Sequence, residues 1–82
     1  MISYNKQRLK IYIEGYVQGV GFRPFIYQLA VELGLTGWIC NSGQGVEIEV
    51  EGSKKALDLF VEHIHQEKPS LSSIQRLDLS YI

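Results

Sequence analysis

Three glycines fall within seven residues, Gly15-Tyr16-Val17-Gln18-Gly19-Val20-Gly21, and the apolar period changes across them. Before them, Leu9, Ile11 and Ile13 alternate with Lys10, Tyr12 and Glu14, a period of two that predicts a half-buried strand. After them, Phe22, Phe25, Ile26, Leu29, Ala30 and Leu33 recur at spacings of three and four, which predicts an amphipathic helix over about residues 22–33. The stretch between cannot comfortably continue a regular strand, so residues 15–21 read as a loop. Pro24 suits the first turn of the helix, where its missing N–H is not needed. Gly34 suits its end, because glycine accepts the left-handed cap conformation.

The same reading extends along the chain. Residues 1–7 form a polar lead-in, and a second strand is expected over about 36–41. Asn41-Ser42-Gly43-Gln44-Gly45 has hairpin-turn composition. Val46, Ile48 and Val50 alternate with Glu47, Glu49 and Glu51, giving a third strand with an acidic solvent face. Ser53 is a suitable N-cap for a second helix over about 54–66, marked by Ala56, Leu57, Phe60, Val61 and Ile64 and followed by Pro69. Leu77, Leu79 and Tyr81 alternate with polar neighbours in a last strand. The order β-α-β-β-α-β implies an α+β, ferredoxin-like sandwich, an antiparallel sheet with both helices on one face.

The 82 residues suit one domain spanning residues 1–82, with one core and no room for a large cofactor cavity. Three strand faces and two helix faces can bury one another, so a monomer is expected. No apolar run approaches the roughly 20 residues that span a bilayer. The N-terminus lacks a signal-peptide core, so a cytoplasmic location is expected. Cys40 is the one cysteine, which excludes an internal disulfide framework or a cysteine-rich metal site within these residues. Lys6, Arg8, Lys10 and Arg23 against Glu14 give the first 23 residues a balance of +3, and the rest carries −4. An anionic ligand is expected at the positive end, which includes the glycine loop. No broad basic patch or stacking aromatic set suggests a nucleic-acid partner.

A glycine loop running directly into a helix leaves backbone N–H groups without intrahelical partners, at an end that carries partial positive charge. Glycines let several such groups curl around one anion. Arg23 adds a forked, permanently charged donor suited to phosphate oxygens. The Lys-Ser/Thr ending of a nucleotide-binding loop is missing, and the dinucleotide pattern is not matched. On spacing alone, a glycine-rich turn with Arg23 in solvent explains the segment equally well, and Asn41 before Ser-Gly reads first as a turn residue.

Gly15-Tyr16-Val17-Gln18-Gly19-Val20-Gly21-Phe22-Arg23 closely resembles the acylphosphatase signature G-x-V-Q-G-V-x-F-R. Gly37-Trp38-Ile39-Cys40-Asn41, followed by Gly45, is similar to that family's second block, at the family's separation. The continuation Gly21-Phe22-Arg23-Pro24-Phe25 more narrowly resembles the N-terminal acylphosphatase-like domain of the hydrogenase-maturation carbamoyltransferases. The resemblance implies hydrolysis of an acyl phosphate, carbamoyl phosphate in the narrower family. There the carbamoyl group travels toward the cyanide ligands of nickel–iron hydrogenases, and ATP and zinc belong to other domains. A stand-alone acylphosphatase, or a module that binds phosphate with little turnover, is the alternative. The resemblance assigns Arg23 and Asn41 as catalytic residues, Arg23 on the phosphate and Asn41 on the attacking water. It assigns Tyr16, Val17, Gln18, Gly19, Val20, Gly21, Phe22 and Arg23 to phosphate binding. The leaving carboxylate or carbamate needs little protonation, so no general acid is demanded, and the scheme calls for no cofactor or metal. The remaining domains of a larger maturation enzyme are the implied partner if the chain is an excised part.

Other residues have plainer readings. Gln18 can brace the loop, and Phe22 and Phe25 read as core. His63 and His65 are two apart on a helix and project differently. Cys40 is expected to face away from the site as a small buried residue. Trp38 reads as core or a partly exposed sheet residue. The glutamates of the third strand read as a solvated face.

Overall fold

Alternating apolar residues dictate a sheet in which one face is buried, and a computed structural model, which describes residues 6–82, has that form. The elements are β1 (Gln7–Tyr16), α1 (Phe22–Glu32), β2 (Thr36–Ser42), β3 (Gly45–Gly52), α2 (Lys54–Glu67) and β4 (Ser73–Tyr81). The sheet order is β2-β3-β1-β4, with every neighbouring pair antiparallel. The register sets Leu9 opposite Val50, Ile11 opposite Ile48 and Ile13 opposite Val46. These six inward residues meet Phe22, Ile26 and Leu29 of α1 and Leu57, Phe60 and Ile64 of α2 in one buried cluster. This is the ferredoxin-like α+β sandwich.

The helix ends follow the expected chemistry. Ser53 Oγ accepts a hydrogen bond from the Ala56 N–H at 3.1 Å and caps α2. Past α1, Gly34 takes φ +70°, and the Leu35 N–H reaches the Ala30 carbonyl at 2.8 Å. This geometry satisfies a carbonyl that the helix end would otherwise leave open.

Four expectations need correction. Strand β1 does not end before the glycines but runs through Gly15 and Tyr16. A bulge between Glu14 and Gly15 absorbs the irregularity, and Gly15 packs so closely on β4 that a Cβ there would stand 2.2 Å from the Ser73 oxygen. Of the polar lead-in, residues 1–5 lie outside the described residues, and Gln7 already belongs to β1. Cys40 is exposed rather than buried. It does alternate away from Asn41, but the sheet face it joins carries no helical layer. The third-strand glutamates are half-buried rather than freely solvated, and Arg8 of β1 covers two of them, donating to Glu49 at 2.7 Å and to Glu51 at 3.3 Å. Trp38, on the same face, is partly exposed.

Candidate active site

The site begins where β1 stops. Val17 turns inward and is buried, which anchors the middle of the loop to the core. Gly19 and Gly21 take φ +74° and +79°, a region that costs other residues roughly 1–2 kcal/mol. Phe22 is then buried at the first position of α1, in a tilted ring contact with Phe25. The loop is therefore pinned by Val17 and Phe22 while the backbone between them winds around its glycines.

That winding leaves donors open. Gly21 caps α1 with no side-chain hydrogen bond, in contrast to Ser53 on α2. Among the described residues, no protein acceptor takes the N–H groups of residues 17–21. Arg23 stands in the first turn of α1, exposed and without an ion pair among the described residues. Of the residues assigned to phosphate binding, Val17 and Phe22 can offer only their amides, since their side chains belong to the core. Val20 is half-buried and packs against the same core, so it too offers its amide. Tyr16 is largely exposed at the end of β1.

Asn41 lies at the far end of β2, paired with Val46 of β3. It is exposed, and its side chain has no hydrogen-bond partner among the described residues. Sequence separates it from the loop by some twenty positions, but the fold joins the two segments. The Gly15 N–H points to the Gln44 carbonyl at 3.4 Å. Gln18 Nε2 donates to the carbonyls of Gly43 at 3.1 Å and Gly45 at 2.8 Å. The bracing role of Gln18 was legible, but its partners were not, since nothing in the spacing says which segment it reaches.

The charge expectation fails in its position. Arg8 and Lys6 sit at the opposite end of β1 from the loop, eight residues or about 26 Å from Tyr16 in the case of Arg8. Both pair with Glu51. The local positive charge at the loop is that of Arg23 and the helix end. His63 pairs with Glu67 on the surface of α2, and no group of three or more His, Cys, Asp or Glu among the described residues could hold a metal ion.

A glycine loop opening a helix beside a β-hairpin, on a four-stranded antiparallel sheet, defines an acylphosphatase-type domain. The acylphosphatase family model matches residues 9–82, and the chain belongs to that family. It is 49% identical over 70 residues to carbamoyltransferase HypF2 of Cupriavidus necator, covering 85% of this chain and 9% of that protein. It is 41% identical over 75 residues to the acylphosphatase of Thermus thermophilus, covering 90% of this chain and 84% of that one. Among solved structures, full-length HypF in its phosphate- and nucleotide-bound form superposes with a TM-score of 0.95 at 38% identity, over 99% of this chain and 11% of that chain. The chain thus spans about a tenth of the length of its HypF relatives. No helix among the described residues is long and apolar enough to cross a membrane.

Proposed function

We propose that this domain hydrolyses acyl phosphates, with carbamoyl phosphate the substrate suggested by the names of the carbamoyltransferase relatives. The observation that carries the reading is the set of unpartnered amides at residues 17–21, ending on an uncapped helix beside the unpaired guanidinium of Arg23. A dianionic phosphoryl group supplies the acceptors those donors lack.

In the proposed reaction, a water oxygen bonds to phosphorus as the bond from phosphorus to the acyl oxygen breaks. The bonding electron pair leaves on the carboxylate or carbamate. Loop amides and Arg23 stabilise the equatorial oxygens throughout. The Asn41 amide orients the water by hydrogen bonding, and it is too weak a base to take the proton. A phosphate oxygen of the substrate accepts that proton. The weakly basic leaving group needs no general acid, so positioning and charge account for the rate.

Release of inorganic phosphate from acetyl phosphate and from carbamoyl phosphate tests the proposal, with Arg23→Ala and Asn41→Ala as controls. Turnover sharply lowered in both variants supports it, and turnover that stays at the wild-type rate in Arg23→Ala overturns it. The same unpartnered amides and guanidinium also support a second reading, in which the domain holds phosphate but turns substrate over slowly. Phosphate binding without release of product in the wild type would select that reading.

A further inference from the structure

We propose that Gln18 is a positioning residue that aligns Asn41 with the phosphate loop, an inference that rests on the hydrolytic reading above. The carboxamide nitrogen has two hydrogens and the structure gives it two acceptors, the carbonyls of Gly43 and Gly45. Both partners are acceptors, so the orientation of the side-chain amide is fixed by its neighbours. Those carbonyls flank the turn of the β2–β3 hairpin. Gly45 stands opposite Ser42, the residue after Asn41.

The two halves of the site are built on different elements. The phosphate-facing amides follow β1, and Asn41 rides on β2, an edge strand of the sheet. Among the described residues, the polar links between loop and hairpin are the long Gly15–Gln44 hydrogen bond and the two made by Gln18. Gln18 itself sits in mid-loop, one residue before the first left-handed glycine. In-line attack needs water and phosphorus held in one geometry, and an error of about 1 Å costs on the order of a hundredfold. A side chain that ties loop to hairpin sets that distance without touching substrate.

The test compares wild type with Gln18→Ala and Gln18→Met. The methionine keeps the chain length and removes the donors, so it serves if the alanine variant folds poorly. We expect kcat to fall about 10- to 100-fold while the inhibition constant for inorganic phosphate changes less than about threefold. In an Asn41→Ala background, the same substitution should cost less than about twofold more, because the group it aligns is gone. An unchanged kcat in Gln18 variants of an active enzyme overturns this inference and leaves the hydrolytic reading intact. Equal losses in kcat and phosphate affinity, additive with Asn41→Ala, also overturn it, because Gln18 would then act on the phosphate. If the wild type shows no turnover, the hydrolytic reading fails separately and phosphate titration by NMR decides the alignment. Inorganic phosphate should then shift both the Gly21 amide and the Asn41 side-chain NH2 in the wild type, and only the former in Gln18→Met. Asn41 signals that respond alike in both proteins, or not at all in the wild type, overturn it.

Discussion

The backbone of Gly45 lies so close to Ile13 that a Cβ on it would stand 1.9 Å from the Ile13 carbonyl oxygen. Gly45 is also the residue whose own carbonyl receives Gln18. Close packing of β3 on β1 and the tie to the loop therefore meet at one position. Gly43, two residues earlier, has φ +57° and open space around its missing Cβ. Gly45→Ala should destabilise the domain by about 2 kcal/mol or more, since backbone rather than a flexible side chain must move. Gly43→Ala should cost about 1 kcal/mol, the penalty of a left-handed conformation alone. Urea midpoints of the two variants check this contrast. Similar losses in both would show that the hairpin yields more readily than its packing implies.

Arg8 bridges Glu49 and Glu51 across the β1–β3 pair, and Lys6 adds to the same cluster. The Arg8 guanidinium pKa is raised above its ordinary value, first by the hydrogen bond it donates to Glu49. Removing it leaves three glutamates spaced two apart on one face of β3. Arg8→Ala should lower the thermal midpoint in dilute buffer, and about 0.5 M salt should shrink the difference by screening the exposed repulsion. Turnover should be unaffected, because the cluster lies at the end of β1 remote from the loop. A midpoint loss that salt leaves unchanged would assign the effect to packing of the arginine stem instead.

The contrast between Arg8 and Arg23 also marks how far the sequence can be read. Periodicity located β1, α1, β3 and α2, because their apolar sets fill one buried cluster, whereas the edge strands β2 and β4 add only partly buried residues such as Ile39 and Leu77. The motif residues Gly15 to Arg23 and Gly37 to Asn41 did turn out to flank one loop and one hairpin. Counting charge along the chain put Arg8 with the loop, although a strand separates its ends by its full length. Nor does alternation distinguish a face covered by helices from an open one, which is why Cys40 was misread. The continuation of β1 through Gly15 depended on a bulge against Ser73, a tertiary contact with no local signature.

Arg23 and Asn41 are both exposed, and their side chains have no hydrogen-bond or ion-pair partner among the described residues, so the fold does not draw on those side chains. Arg23→Ala should leave the urea midpoint within about 0.5 kcal/mol of wild type. Its kcat/KM for acetyl phosphate should drop on the order of a thousandfold. Arg23→Lys should recover only a small part, since a point charge cannot reproduce two parallel donors. Full recovery by lysine would reduce the role of Arg23 to that of a general positive charge.

Tyr12 provides a pH test on the open face of the sheet. Its phenol is half-buried, and that desolvation raises its pKa above the usual 10, with the Glu14 carboxylate that accepts its hydrogen bond at 3.2 Å reinforcing the shift. An acid whose pKa is higher when folded holds its proton in the native state after the unfolded chain has lost it. In the window just above pH 10 the native state binds more protons, so stability falls as pH rises through that window. Below pH 10 both states keep the proton, and the shift contributes no slope. Urea midpoints measured from pH 8 to 11 should therefore fall more steeply for wild type than for Tyr12→Phe, with parallel curves below pH 9. Curves that stay parallel up to pH 11 would mean that the phenol ionises as easily in the sheet as in the unfolded chain.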